Sequence, residues 1–308
     1  MTGTLSPASS VGANITAAAT ASFESCPDAR LREIMQALVR HLHAFASEVQ
    51  LSEAEWTRAI QILTRTGHIT DERRQEFILW SDVLGLSMLV DALAHPSANG
   101  ATESTVLGPF WTPNAPRRGY ADSIAEGGGG TPALVRGRVL DQRGQPIAGA
   151  ELDIWQNGDN GLYAVQDEEA PEAHLRGRFL SRDDGSYAFV GVRPVPYTIP
   201  HDGPVGAMLD ATRRHPWRPA HIHMIVTAAG YQRLQTHIFD ADSPYLDSDA
   251  VFAVKRSLVR RFEPRAADDP ERPPSISGPW CLVENDIVLA QPGMPATPSA
   301  AGSSVPKK

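Results

Sequence analysis

The chain has 308 residues, 42% of them hydrophobic and 21% charged, enough for one large or two modest domains with a sizeable core. Its net charge of −8 argues against nucleic acid as the main partner, because a phosphate backbone requires a basic face. Two cysteines, Cys26 and Cys281, are too few for a disulfide framework or zinc knuckles and fit a reducing cytoplasm.

Met1-Thr2-Gly3-Thr4-Leu5-Ser6-Pro7 lacks the basic region and apolar core of a secretory signal. Residues 1–27 are rich in Ala, Ser and Thr without periodicity, which predicts a disordered leader. From Asp28, Leu31, Ile34, Met35, Leu38 and Leu42 recur at helical spacing. Ser52-Glu53-Ala54-Glu55 is a capping box opening a second helix that stops near Gly67. Thr70-Asp71-Glu72 predicts the start of a third, with Phe77, Leu79, Val83, Leu86, Leu89 and Leu93 on one broad apolar face. The most apolar segment, Val83 to Ala94, is too short to span a bilayer and carries Asp91, so no membrane span is expected and the location is read as cytoplasmic. Residues 28–104 are thus expected to form a helical domain.

His95-Pro96-Ser97-Ala98-Asn99-Gly100 ends the helical pattern, and Gly127-Gly128-Gly129-Gly130 reads as loop. Beyond Thr131 the punctuation is that of an all-β domain. Strands are expected over Leu134 to Leu140, Ala150 to Trp155, Arg178 to Ser181, Ser186 to Val190, His221 to Thr227, Leu234 to Phe239 and Cys281 to Leu289. Short strands with regular turns indicate a β-sandwich over 105–290, followed by a disordered Pro/Ala/Ser tail, 291–308.

Arg218-Pro219-Ala220-His221-Ile222-His223-Met224-Ile225-Val226 is the stretch with the clearest chemistry. On a strand, His221 and His223 point the same way and could bite one metal ion; the other reading is a cross-strand pair on a wet sheet face. His41 and His43 have the same spacing on a predicted helix, where residues two apart diverge. Asp240 and Asp242 could supply the carboxylate of a two-histidine iron site, or serve only as turn formers before Pro244. Tyr163, past a Gly/Asn-rich turn, and Tyr197, between prolines, are either packing residues or phenolate donors. A phenolate is a hard anion and favours ferric iron.

The stretches Trp155 to Tyr163, Gly177 to Tyr197, Arg218 to Tyr231, Leu234 to Val254 and Glu103 to Phe110 resemble the intradiol ring-cleavage dioxygenases. The similarity runs from about Asp28 to Gln291. It implies a β-sandwich holding one Fe(III) per chain on Tyr163, Tyr197, His221 and His223. It also implies a helical N-terminal domain that forms a homodimer, with a lipid in an apolar groove at that interface as in relatives. Thr236-His237-Ile238-Phe239, Tyr245 to Phe252 and Phe77 to Gly85 are similar to the hydroxyquinol-cleaving branch, with catechols as the alternative substrates. Ala253 in place of a Gly and Leu107 in place of an aromatic depart from that branch.

The resemblance further implies a catalytic set of Arg218, Tyr197 and His237. Arg218 would face developing negative charge, Tyr197 would take a substrate proton, and His237 would orient the ring or O2. The expected pocket wall comprises Leu79, Asp82, Val106, Leu107, Gly108, Pro109, Phe110, Ile199, Pro200, Arg218 and Val251, with Asp82 reaching a third substrate hydroxyl. A rival of another class comes from Asp141 to Ala150, which resembles the turn of transthyretin-like binding sandwiches that need no metal.

Overall fold

A computed structural model describes residues 7–71, 74–95, 100–126 and 129–292. The expectations for the first six residues, for Glu72, for Pro96 to Asn99, for Gly127-Gly128 and for the tail from residue 293 lie outside these. The chain divides into two compact units, Met1–Arg65 and Thr66–Lys308.

In the first unit, α1 (Pro7–Ala21) is helical where a disordered leader was expected. The reason is compositional: Ala is the strongest helix former, and its lack of apolar periodicity does not prevent a helix from forming. α2 (Ala29–Glu48) starts where Asp28 accepts hydrogen bonds from the N–H groups of Arg30 and Leu31. α3 (Glu53–Ile69) opens with the capping box: Ser52 N–H donates to Glu55 at 2.9 Å and Glu55 N–H to Ser52 Oγ at 3.3 Å.

The predicted third helix is two. α4 (Glu76–Val83) closes with the Leu84 N–H on Trp80 and the Gly85 N–H on Asp82, and α5 (Leu86–Ala94) leaves at 78°. No single helix among the described residues is long and apolar enough to cross a membrane. The split at Arg65 leaves α4 in the second unit, whose core it joins. Leu79 and Val83 pack in one cluster with Ile199, Val205, Phe239 and Val251.

The second unit continues with β1 (Pro132–Asp141), β2 (Glu151–Gln156), β3 (Arg176–Leu180), β4 (Ser186–Val192), β5 (Tyr197–Thr198), α6 (Pro204–Ala211), β6 (Trp217–Arg218), β7 (His221–Thr227), β8 (Leu234–Asp240), β9 (Val259–Arg260), β10 (Glu263–Arg265), β11 (Trp280–Glu284) and β12 (Ile287–Leu289). One sheet has the order β10-β11-β1-β12 with β4 also on β1; the other is β3-β2-β7-β8-β9. β1 runs parallel to both β11 and β12, while β4 is antiparallel to it. The main core gathers Val135, Phe189, Val283 and Ile287 from the first sheet and Leu152, Ile154, Ile222, Met224 and Ile238 from the second, all buried. This is the sandwich the strand pattern predicts.

The single strand expected over Cys281 to Leu289 breaks at Asn285–Asp286. There the Asn285 N–H donates to Arg136 O, and Tyr187 Oη donates to Asn285 O at 2.6 Å. The break crosses β1 at Gly137, where a Cβ would stand 2.0 Å from Asn285 O. A side chain on that residue and the crossing are incompatible.

Candidate metal centre

The even residues of β7 fill the sandwich core, so its odd residues face away from it. That alternation delivers His221 and His223 side by side, each 1% exposed. Register then places Trp155 of β2 and His237 of β8 on either side of His223, and Phe239 beside His221. The Trp155 ring stacks on His223 at 4.6 Å and 13°.

The hydrogen bonds decide which nitrogens are free to bind. His221 Nδ1 lies 2.7 Å from the Pro219 carbonyl, which can only accept, so Nδ1 carries the proton and Nε2 a lone pair. His223 Nδ1 meets His237 Nε2 at 2.6 Å, and His237 Nδ1 meets Thr105 Oγ1 at 2.9 Å. Protons donated in that order along the chain leave His223 Nε2 as a lone pair too. Burial first, and then the charge of Arg218, hold His221 well below the usual histidine range, and burial followed by His221 does the same for His223. Both are neutral at pH 7, the form that ligates metal.

Tyr163 completes a triangle. Its Oη lies 3.0 Å from His223 Nε2 and 3.4 Å from His221 Nε2, and the two nitrogens are 3.1 Å apart. Donors about 2.0–2.1 Å from one cation, at angles of roughly 90–110°, stand about 2.9–3.4 Å apart. The loop that carries Tyr163 is built by its turn, in which the Gly158 N–H closes on Leu162 O and the Leu162 N–H on Asn160 Oδ1. Phe110 stacks on the Tyr163 ring at 4.6 Å. Burial, then Tyr197, push its phenol well above the ordinary value, so only a cation could draw the proton off at neutral pH.

Tyr197 arrives by a two-residue ribbon, β5 on β6, which sets it opposite Arg218. Arg218 Nη1 is 3.3 Å from Tyr197 Oη and 3.3 Å from His221 Nε2. Burial alone would lower the Arg218 guanidinium, but Asp249 and then Tyr197 override it and keep the charge fixed.

The pocket residues come together unevenly. Leu79, Ile199 and Val251 share a buried cluster with Val106 packed on it, and Pro200 follows Ile199 half-buried. Leu107 and Phe110 pack against Trp155, Tyr163 and Tyr197. Gly108 has φ 74, and a Cβ there would meet His223 Cε1 at 3.3 Å, so the segment lies directly over a histidine edge. Pro109 is exposed. Asp82 is 7% exposed; burial raises its carboxyl, and the charges of Arg218 and Asp249 both reach it.

Both nitrogens of His237 are engaged, by His223 and Thr105, which places its ring against His223. The nitrogens of His221, His223 and His237 lie within 4.8 Å of one another, and the His237 nitrogen nearest the pair is hydrogen-bonded to His223. Asp240 is a structural acid: both its oxygens pair with Arg193, at 2.6 and 3.1 Å, and Asp242 joins at 2.8 Å. His41 and His43 lie on α2, with His43 Nδ1 2.9 Å from Thr16 Oγ1. Sequence reasoning left Thr105, Trp155 and Asp249 without a role. The available signal for Asp249 was its place in the Tyr245 to Phe252 stretch.

Comparison with known proteins gives a consistent result. The family model described as Dioxygenase matches residues 106–281, and that described as Catechol dioxygenase N terminus matches residues 28–102. The hydroxyquinol 1,2-dioxygenase of Nocardioides simplex is 50% identical over 273 residues, 87% of this chain and 92% of that protein. The crystal structure of hydroxyquinol 1,2-dioxygenase from Pseudomonas putida DLL-E4 superposes with TM-score 0.87 at 50% identity, covering 92% of this chain and 99% of that one. Catechol 1,2-dioxygenase from Pseudomonas arvilla C-1 follows at TM-score 0.79 and 26% identity, with 95% of each chain covered.

Proposed function

This chain belongs to the intradiol dioxygenase family, and we propose from that membership that its substrate is hydroxyquinol, benzene-1,2,4-triol. The reaction places both atoms of O2 between the vicinal hydroxylated carbons and gives 3-hydroxy-cis,cis-muconate, the tautomer of maleylacetate. All the electrons come from the ring, so no external reductant takes part. The observation that carries the reading is half-identity to hydroxyquinol 1,2-dioxygenases over 87–88% of the chain.

The family's enzymes use iron, and the donors here suit one Fe(III) per chain on Tyr163, Tyr197, His221 and His223. Two phenol oxygens are hard, potentially anionic donors, the two imidazoles are held neutral, and Tyr163 Oη and the two Nε2 atoms are spaced as in one coordination sphere, with Tyr197 beside them. When bound, a ferric ion supplies Lewis acidity toward a bound diolate and mediates its reaction with O2.

The chain's own residues do the rest. With a ferric ion bound, Tyr197 would stand as a phenolate, and its Oη could then take the proton of a substrate hydroxyl and become a neutral phenol. Arg218 Nη1, aimed at that same point, stabilises negative charge as it grows on the ring and on oxygen. His237 and Thr105 hold the His223 tautomer. Leu79, Val106, Leu107, Ile199 and Val251 exclude water, and Asp82 hydrogen-bonds the third hydroxyl.

In the same reading the protein is a cytoplasmic homodimer joined through its helical unit. Leu31, Ile34, Leu38, Leu42 and Phe45 of α2 are 46–55% exposed, an apolar row suited to a second copy. A cavity of about 1000 Å³ between α1 and α2, lined by Thr16, Ala17, Thr20, Arg40, His43 and Ser47, would take a lipid. Oxygen uptake with benzene-1,2,4-triol and with catechol tests the substrate. Faster uptake with catechol would move the assignment to the catechol-cleaving enzymes, the second reading supported by the Pseudomonas arvilla likeness. A transthyretin-like binding sandwich would take up no oxygen with either.

A further inference from the structure

The direction in which Arg218 points is set by a carboxylate on another loop. Arg218 and Asp249 are both buried, with side chains 3% and 2% exposed. Nε–H and Nη2–H of the guanidinium donate to Asp249 Oδ1 and Oδ2 at 3.2 and 3.4 Å. That side-on grip leaves Nη1 facing Tyr197 Oη and His221 Nε2. The same two oxygens accept the N–H groups of Val251 at 3.2 Å and Ala253 at 3.0 Å. Those bonds close a tight turn in which Phe252 takes a left-handed backbone, φ 59, an uncommon state for an aromatic residue. The Ala250 N–H also donates to Trp217 O at 3.1 Å, fastening the turn to the strand that carries Arg218.

We infer that Asp249 is a positioning residue whose single carboxylate sets both the aim of Arg218 Nη1 and the place of Val251 in the pocket wall. The inference rests on the roles proposed above for Arg218 and Val251. A guanidinium closed off from water must lie against its counter-charge, and pairing through Nε and Nη2 fixes its plane as well as its position. The turn residues have no such freedom either, because the acceptors that hold Val251 and Ala253 are the atoms that hold Arg218. The charge-stabilising group and the wall that selects the ring therefore move together.

The test uses iron-loaded full-length protein and compares Asp249→Asn, Asp249→Glu, Arg218→Lys and the Asp249→Asn/Arg218→Lys double variant. Iron content, hydroxyquinol and catechol turnover, and the tyrosinate-to-iron absorption band are read for each. Asp249→Glu keeps the charge but displaces it by a methylene. It is expected to bind a full complement of iron, lose about tenfold in kcat, shift the resting band as Nη1 leaves Tyr197, and lower the hydroxyquinol-to-catechol ratio. Asp249→Asn is expected to lose roughly a hundredfold in kcat, but about twofold or less once Arg218 is already Lys. Wild-type kcat with an unmoved band in Asp249→Glu, or losses that simply multiply in the double variant, would overturn the inference. If Asp249→Asn does not fold, Asp249→Glu decides alone. A wild-type enzyme inactive on hydroxyquinol would sink the substrate assignment, while the band shift in Asp249→Glu would still judge Asp249.

Discussion

Asp82 and Tyr163 carry separable consequences, because one concerns the substrate and the other the metal. Asp82 is buried in α4 within the field of Arg218 and Asp249, and the proposed contact with the third hydroxyl gives its carboxyl a role that can be tested. Asp82→Ala should cost hydroxyquinol turnover about tenfold more than catechol turnover, since only the former has a third hydroxyl to lose a hydrogen bond. Equal losses in a side-by-side kcat/KM comparison would sink the role. Tyr163→Phe removes one corner of the donor triangle and leaves both histidine nitrogens in place. The red-brown colour of tyrosinate-bound Fe(III) should weaken and shift, with iron affinity lower by about tenfold or more. Metal analysis beside a visible spectrum checks it; unchanged colour at full iron content would remove Tyr163 from the ligand set.

Elements matter here through crossings that local sequence does not announce. β7 and β8 read as strands, and the common direction of His221 and His223 was legible from strand spacing alone; the pairing of β7 with β8 adds His237 to that row. The segment over them was not legible: Gly108 looks like one loop glycine among many, yet its left-handed backbone lays Leu107 and Phe110 across the site. Gly108→Ala should destabilise the protein by about 1–2 kcal/mol from its positive φ alone, and should also disturb His223, so the absorption band should move with the melting temperature. Gly137 is the sharper case. Its φ is ordinary, but an added Cβ would collide with the Asn285 carbonyl, which is backbone and cannot swing away. Gly137→Ala is expected to cost about 3 kcal/mol, read from the urea midpoint at constant slope, and a neutral result would mean that the break between β11 and β12 is pliable.

At the scale of the whole molecule, the first unit leaves an apolar row on α2 in water, and Trp56, Ile60 and Leu63 of α3 are similarly 45–58% exposed. The proposed dimer would bury such surface, at about 25 cal/mol for each Å² of apolar area. Leu38→Glu with Leu42→Glu should therefore convert a dimer to a monomer in sedimentation at micromolar concentration while leaving the absorption band of the second unit in place. A native species that sediments as a monomer would refute the dimer directly.

The amino-acid order by itself determined the longer strands β1 to β4, β7 and β8, the two histidines on one face, the helical start at Asp28 and the specific stretches shared with the family, because each depends on neighbours a few residues away, whereas the short β5, β6, β9 and β10 carry too few residues to show a period. The helix of residues 7–21 carries no apolar period, because its helicity comes from alanine propensity and leaves no stripe in the sequence. Only the tertiary structure decided that the apolar run over Phe77 to Leu93 is two helices, that β11 and β12 are separate, and that His237 lies against His223. It alone brought Asp249 to Arg218, 31 residues apart, and Thr105 to His237, 132 residues apart. Hydrogen bonds across such separations are written by sheet register and loop path, and no local period records them.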